Sequence, residues 1–316
     1  MKRRRVLVTC RQMQDSLPAL ADELSALGWE LKLADLGDRQ QFSSAEMSDL
    51  LVDVEGAIIG DDEISDLALA KADSLIAICK WGIGIDSIDL EATERRAVRV
   101  GRTPQMFGEE VADVALAYTI GLARNLFEID RGVRSGAWPK PIGRSLRGLR
   151  GVIIGYGDVG QALALRLQLI GFDLTVVEPS EANSNLARER GLQVSDLQEA
   201  CQGANFLHVT CPLTTETRGL INQDVFVHLA NPAYVVNVAR GPIVDGQALV
   251  AALEAGLVTG AALDVFENEP PGANNTLVSS PRVILGSHNA SNSYEATIRA
   301  SSQALRVLDA LLSEHS

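Results

Sequence analysis

Along the first third of the chain, short apolar runs rich in β-branched residues alternate with longer segments of helical periodicity. Residues 6–9, 31–34, 57–59 and 75–78 have the character of buried strands, and residues 17–27 and 45–51 carry the helical pattern between them. Parallel neighbours need a crossover connection, so this alternation predicts β-α-β units around a parallel sheet. A second and stronger series of apolar runs, at residues 152–154, 174–177, 206–209, 235–238, 261–263 and 283–285, predicts a second doubly wound sheet.

Two helical segments lie outside these series. Residues 109–126 are apolar on nearly every face (Val111, Val114, Leu116, Ile120, Leu122, Leu126), broken only by Asp113 and Arg124, which predicts a helix buried between layers or between subunits. Residues 294–312 are again helical, and their position lets the C-terminus cross back onto the first sheet. At 316 residues the chain exceeds the size at which one core tends to split, so two α/β domains hinged around a cleft are expected. Their predicted extents are residues 1–100 with 290–316, and residues 101–289. There is no internal repeat at a fixed period.

Composition narrows the function classes. With 46% hydrophobic and 22% charged residues the chain reads as a folded protein with a sizeable core. The formal net charge of -13 repels a phosphate backbone, and the single basic run, Lys2 to Arg5, opens directly into a strand, so nucleic acid is not an expected partner. That run resembles the start of a signal peptide, but the apolar stretch behind it is interrupted at Thr9, Cys10 and Arg11. No apolar run approaches the ~18 residues of a membrane span. A cytoplasmic protein without a membrane partner is therefore expected. Cys10, Cys79, Cys201 and Cys211 lack C-x-x-C spacing and read as buried thiols, and His208 with Cys211 lacks the further ligands of a metal site.

The strongest local signal is Gly155-x-Gly157-x-x-Gly160, which follows the run 152–154 and opens a helical segment. The first glycine permits a tight turn, the second lets backbone approach a pyrophosphate, and the third allows close helix-strand packing. Glu178 ends the next apolar run about 20 residues further on, where a carboxylate accepts hydrogen bonds from ribose hydroxyls. No Arg or Lys follows in residues 179–186, which favours NAD over NADP. A solvated carboxylate at a strand end is the other reading of Glu178.

Three residues follow the later apolar runs: Arg240, Glu269 and His288. In a doubly wound sheet these carboxyl ends border the ligand crevice. Hydride transfer to a keto acid needs a fixed cation for carboxylate and carbonyl, a proton donor that titrates near neutrality, and a carboxylate to orient that donor. The three match these needs one for one. Singly, each has a plainer reading: a surface ion-pair member, a turn residue before Pro270, a satisfied histidine.

Together with the glycine fingerprint, several further segments carry a resemblance. They are Lys80-Trp-Gly82-Ile-Gly84-Ile-Asp86-Ser-Ile-Asp89, His208-Val-Thr210-Cys-Pro212-Leu-Thr214-x-x-Thr217-Arg-Gly-Leu, Val236-Asn-Val-Ala-Arg240-Gly-Pro-Ile-Val-Asp245, Ala262-Leu-Asp264-Val-Phe-Glu-Asn-Glu269-Pro and His288. Over roughly residues 75–295 the chain closely resembles the D-isomer-specific 2-hydroxyacid dehydrogenases, in the form of a phosphoglycerate dehydrogenase-like member without a C-terminal regulatory domain. The resemblance implies a flavodoxin-like substrate domain and a Rossmann NAD domain. It implies Arg240 as the grip on substrate carboxylate and carbonyl, His288 as acid/base and Glu269 as its partner.

By the same resemblance, backbone amides at Ile83 and Gly84 hold the substrate carboxylate, with Lys80 and Trp81 beside them, Trp81 being either a cleft wall or plain packing. Asp158, Val159, Thr210, Pro212, Thr217, Val238, Ala239 and Asp264 accompany Gly155, Gly157, Gly160 and Glu178 around NAD, Asp264 at the nicotinamide amide. Residues 109–126 become part of a dimer arm, so a homodimer is expected. No metal is implied. The implied substrate is a small anionic D-2-hydroxy or 2-keto acid, either of the hydroxypyruvate or glyoxylate kind or phosphoglycerate-like.

Departures from the family pattern bear on that choice. The usual arginine before the Gly82-x-Gly84 loop is Lys80, an acidic residue before His208 is replaced by Asn205, and Asn289 follows the histidine. The loop Gly60-Asp61-Asp62-Glu63 presents three carboxylates where phosphate-binding relatives often carry a cation, which puts a phosphorylated substrate in doubt. A rival from another class is an NAD(H)-sensing binding protein or corepressor on the same fold, against which the intact Arg240, Glu269 and His288 argue.

Overall fold

The computed structural model describes residues 3–37 and 39–314; Lys2 of the basic run lies outside them. The chain divides into two compact units, residues 1–106 with 292–316, and residues 107–291. Each is built on one wholly parallel sheet with helical crossovers, the α/β fold expected.

The first unit carries β1 (Arg5–Val8), β2 (Glu30–Leu33), β3 (Gly56–Ile59), β4 (Ala77–Lys80) and β5 (Arg99–Arg102), in the order β2-β1-β3-β4-β5. β3 and β4 are buried along their whole length, which is why their sequences are continuous apolar runs rather than alternating ones. β4 runs two residues past the predicted 75–78, because its register pairs Gly56 with Ala77 and Ile59 with Lys80. Lys80 is therefore the last residue of a central strand and not part of the loop beyond it. β5, with arginines at both ends, gives no apolar signal; it completes the sheet through pairing with β4. A Cβ built on Gly101 would lie 2.5 Å from Val307, so the glycine lets the helix Tyr294–Ser313 lie directly on this strand. That helix does cross back onto the first sheet.

The helix predicted at residues 17–27 is divided. It begins earlier, as Arg11–Ser16, passes through a 3₁₀ turn at Leu17–Leu20 and resumes as Ala21–Leu27. Pro18 accounts for the break, since it lacks an N–H and its ring crowds the preceding turn.

The second unit carries β6 (Arg150–Ile154), β7 (Asp173–Val177), β8 (Gln193–Val194), β9 (Phe206–Val209), β10 (Tyr234–Asn237), β11 (Gly260–Leu263) and β12 (Val283–Leu285). Their order, β12-β11-β10-β9-β6-β7-β8, reverses direction of travel between β6 and β9. The carboxyl ends of those two strands form the topological switch point at which open α/β sheets bind ligands. The predicted all-round apolar helix is Gly108–Arg124, with Val111, Ala112, Ala115, Thr119, Leu122 and Ala123 buried. All four cysteines are free and buried, and no cluster of metal-ligating side chains occurs among the described residues. None of the helices is long and apolar enough to cross a membrane among the described residues.

Candidate active site

The glycine loop leaves β6 at the switch point. Gly155 has a φ of +93°, and a Cβ there would sit 2.6 Å from the Cα of Cys211, at the exit of β9. A Cβ on Gly160 would overlap the carbonyl oxygen of Gly155. Both are therefore required by packing. Gly157 is different: a Cβ there would meet nothing within 4 Å. It is the N-cap of the twelve-residue helix Asp158–Leu169 and offers that helix no side-chain cap, so open space lies beside amides that need an acceptor. A pyrophosphate fits both facts.

Glu178 is not merely solvated. One of its oxygens accepts from the Tyr156 amide at 2.6 Å and the other from the Ser180 amide at 2.8 Å, which locks the carboxylate against the glycine loop. Each oxygen keeps a lone pair for a ribose hydroxyl. Asp158 behaves otherwise than its place in the fingerprint suggests. Its carboxylate fills the space where Gly108 lacks a side chain, at the start of the helix Gly108–Arg124, so its backbone amide is the part suited to phosphate. Val159 follows it in the helix's first turn.

On the other side of the switch point, the Thr210 hydroxyl donates to the Gly155 carbonyl at 2.8 Å and ties β9 to the glycine loop. The Thr217 hydroxyl donates to the Pro212 carbonyl and accepts from the Thr214 amide, both at 2.7 Å. It staples its own loop together. Beyond β10, Val238 is buried, and the Ala239 amide donates to the Asn237 side chain at 3.1 Å.

Asn237 shapes the turn that carries Arg240. Its side-chain amide donates to the Arg240 carbonyl at 2.9 Å, and Arg240 Nη1 donates to the Ala239 carbonyl at 2.9 Å. The next residue, Gly241, abuts the carbonyl of Phe266, and any side chain there would overlap it. Phe266 in turn donates its amide to Glu269 Oε1 at 2.8 Å. Glu269 Oε2 is 2.7 Å from His288 Nδ1, with the two side chains 18% and 21% exposed. The carboxylate assigns the Nδ1 proton, leaving Nε2 as the atom that can exchange a proton.

His288 has a left-handed backbone, φ 52°, held by its amide donating to the Asp264 carbonyl at 2.7 Å. Asp264 is 2% exposed, and its carboxylate accepts from the amides of Asn289 (3.3 Å) and Ala290 (3.0 Å) and from the Tyr118 hydroxyl (3.4 Å). It braces the loop under His288. Burial, reinforced by Asp264, pushes the Tyr118 phenol well above its ordinary range. Asn237, Gly241 and Tyr118 were not singled out from the sequence. A buried amide ending a β-branched strand was the available sign for Asn237.

His208 stands apart from this chemistry. It is fully buried in β9, stacks on Phe206 at 5.6 Å and meets the Thr119 hydroxyl through Nε2 at 2.9 Å. Burial lowers its pKa to about 4, so it is a neutral core histidine.

In the first unit, Lys80 is 4% exposed, with Nζ 2.9 Å from Asp61 Oδ1 and donating to the Trp81 carbonyl at 3.2 Å. Trp81 points its indole N–H at Ser301 in the C-terminal helix, 3.0 Å away, and is buried, as packing requires. The loop through Ile83 and Gly84 is pinned by the Gly82 amide donating to the Thr103 hydroxyl at 2.9 Å and by Arg102 donating to the Ile83 carbonyl at 3.2 Å.

The three carboxylates of the acidic loop have different partners. Asp62 is buried and accepts from the Thr9 hydroxyl, the Gly60 amide (3.0 Å) and the Phe42 amide (2.8 Å); burial raises its pKa. Glu63 accepts from the Ser44 amide at 3.1 Å. Asp62 and Glu63 are thus held by hydrogen bonds, and Asp61 is the carboxylate ion-paired with Lys80, whose field also reaches Asp62.

Comparison with known proteins places the chain in a family. Residues 116–290 match the D-isomer specific 2-hydroxyacid dehydrogenase, NAD binding domain. The chain is 30% identical over 303 residues to a glyoxylate reductase of Pyrococcus furiosus, covering 92% of this chain and 87% of that one. It is 32% identical over 275 residues to a glyoxylate/hydroxypyruvate reductase B of Klebsiella pneumoniae, covering 84% of each. Among solved structures, the TT0316 protein of Thermus thermophilus matches with a TM-score of 0.85 and 29% identity over 98% of this chain and 97% of that one. Apo D-lactate dehydrogenase of Escherichia coli, at 24% identity and a TM-score of 0.84 over 98% and 97%, shares the fold. With more than half of its length matched to the family's NAD-binding domain and relatives of similar sequence along nearly all of it, this chain belongs to the D-isomer specific 2-hydroxyacid dehydrogenases.

Proposed function

We propose that this NAD-dependent dehydrogenase reduces a small 2-keto acid of the glyoxylate or hydroxypyruvate kind to the corresponding 2-hydroxy acid, of D configuration wherever C2 becomes a stereocentre. The observation that carries the reading is the 2.7 Å contact between His288 Nδ1 and Glu269 Oε2, on loops of the unit that also holds the glycine fingerprint. The names of the relatives, glyoxylate reductase and glyoxylate/hydroxypyruvate reductase, support the substrate class. When bound, NADH supplies the hydride that C2 of the substrate receives.

The chain's own residues do the rest. Arg240 offers a planar, permanently charged fork to the substrate carboxylate and carbonyl oxygen, and so stabilises negative charge as it develops on that oxygen. His288 Nε2 delivers the proton. Glu269 holds the ring in the orientation and charge state that delivery needs. On the substrate side of the reading stand Lys80 and the Ile83 and Gly84 amides, all at the carboxyl edge of the first sheet.

A cytoplasmic homodimer completes the proposal. The segment just beyond the helix Gly108–Arg124 exposes Phe127, Trp138 and Ile142, side chains that a second copy would cover. The test of function is NADH oxidation with glyoxylate, hydroxypyruvate, phosphohydroxypyruvate and bulkier keto acids. Turnover of one or more of the small acids is expected. Tight NADH binding with no turnover of any acid would overturn it in favour of a dinucleotide sensor.

A further inference from the structure

In the first sheet the strand order β2-β1-β3-β4-β5 reverses between β1 and β3, so the ligand-facing crevice of this unit lies at the carboxyl ends of those strands. The side chains gathered there come from three segments: Thr9 to Arg11 after β1, Gly60 to Asp62 after β3, and Lys80 at the end of β4. Their charges are arranged in a definite way. The ammonium of Lys80 is buried, with Asp61 Oδ1 at 2.9 Å, and the missing side chain of Gly82 leaves room directly over it, since a Cβ there would lie 3.2 Å from Nζ. Asp61 is held at its other oxygen, which accepts from Gln40 Nε2 at 3.0 Å. Of the pair, Asp61 is the exposed member, at 24% against 4%.

Lys80 also acts on Asp62, but burial raises that carboxyl's pKa and so favours its neutral form, which leaves Asp61 as the ion-pair partner. Asp62 is buried on three donors, and Arg11 donates to the Gly37 carbonyl. An anion arriving at this edge therefore meets a carboxylate in front of a cation already paired with it. Taking Lys80 from Asp61 would break a partly buried ion pair. A hydroxyl meets no such penalty, because a fixed carboxylate edge is a good acceptor.

We propose that Asp61 determines substrate class by neutralising Lys80: the site accepts 2-oxo acids whose carbonyl carbon bears hydrogen or a small group ending in a neutral hydrogen-bond donor, and rejects those that carry a second anion such as a phosphate. This inference rests on the proposed reductase activity. It assigns to Asp61 a specificity role through charge, with no part in the proton or hydride transfer itself.

The experiment compares kcat/KM for hydroxypyruvate and phosphohydroxypyruvate, with NADH, in the wild type, Asp61→Asn and Glu63→Gln. In the wild type the phosphorylated acid should be poorer by about a hundredfold or more, a penalty of two decades for an unpaired charge. Asp61→Asn keeps the shape and the contact with Gln40 but frees the charge of Lys80, so the ratio should move toward the phosphorylated acid by about tenfold or more, mostly in KM. Glu63→Gln removes a charge from the same loop, where the carboxylate serves Ser44, and should leave the ratio unchanged. A wild type that uses both acids equally overturns the inference without recourse to any variant. So does a ratio that ignores Asp61→Asn, or one that moves as much in Glu63→Gln. If the wild type reduces none of the keto acids, the reductase reading itself has failed and this inference falls with it; reduction of glyoxylate separates that case from the others.

Discussion

Gly241 has no room for a side chain because the carbonyl of Phe266 occupies the place a Cβ would take. The contact joins the turn that carries Arg240 to the loop that carries Glu269, three residues beyond Phe266. Gly241→Ala must push these loops apart. A stability loss of about 1–3 kcal/mol from overpacking is expected. Because near-ångström misplacement of catalytic groups is costly, kcat/KM should fall by about a hundredfold. Urea unfolding and steady-state kinetics on the same preparation check both. A variant with wild-type kinetics would show that the spacing of the two loops is not what positions Arg240.

The glycine loop offers a paired test. Gly155→Ala forces a side chain into Cys211 at a φ of +93° and should destabilise the fold. Gly157→Ala enters open space and should leave unfolding within about 0.5 kcal/mol of the wild type, while weakening NADH binding by about tenfold where the phosphates approach. NADH titration by fluorescence, set beside denaturant curves, separates the two. Unchanged NADH affinity in Gly157→Ala would move the pyrophosphate elsewhere.

Arg240→Lys keeps the charge but loses the two-pronged geometry that matches a carboxylate and carbonyl pair. Reduction should suffer by far more than one decade in kcat/KM, about 1.4 kcal/mol. Activity within about threefold of the wild type would remove Arg240 from the proposed site.

A carboxylate beside an imidazole favours its protonated form. Keto-acid reduction draws a proton from His288, so its rate should be high at low pH and fall as the ring loses its proton; oxidation of the hydroxy acid should show the opposite limb. Glu269→Gln keeps the shape of the 2.7 Å contact without the charge. The falling limb of the reductive profile should then move to lower pH. The check is kcat/KM against pH with a deuteride isotope effect confirming that chemistry limits the rate. An unmoved limb would leave Glu269 only its hydrogen bond to the Phe266 amide.

His208 predicts the acid side of stability. Its folded pKa of about 4 lies below the ordinary value of 6.5, so protons bind the unfolded chain more readily. Its contribution is fully present above pH 6.5 and is lost as pH falls toward 4, at roughly 1.4 kcal/mol per unit. His208→Phe, whose ring can continue the stack on Phe206, should flatten that part of the stability curve by about one proton. An unchanged slope would mean that the ring is already protonated in the fold.

Much of the fold is legible in the order of residues alone. Continuous apolar strands such as Val152 to Ile154, spaced by helical segments, dictate parallel sheets, because only strands covered on both faces are apolar throughout. Gly155, Gly157 and Gly160 announce a dinucleotide loop because each conformational demand there is local and only glycine meets it. The elements missed were those whose stability comes from neighbours: β5, with its terminal arginines, exists through pairing with β4, and Pro18 divided a helix that the apolar pattern alone made continuous.

What the amino-acid sequence determined by itself was the fold class, the dinucleotide loop and the chemical types available at the strand ends. Only the tertiary structure decided how the charges were spent. Asp62 and Glu63 went to backbone amides, Asp61 went to Lys80 across β3 and β4, Asp158 turned onto Gly108, and Asp264 became the brace beneath His288. The reason is physical: local pattern reports which residues are buried, whereas a carboxylate's partner is set by strand register and loop approach between residues far apart in the chain.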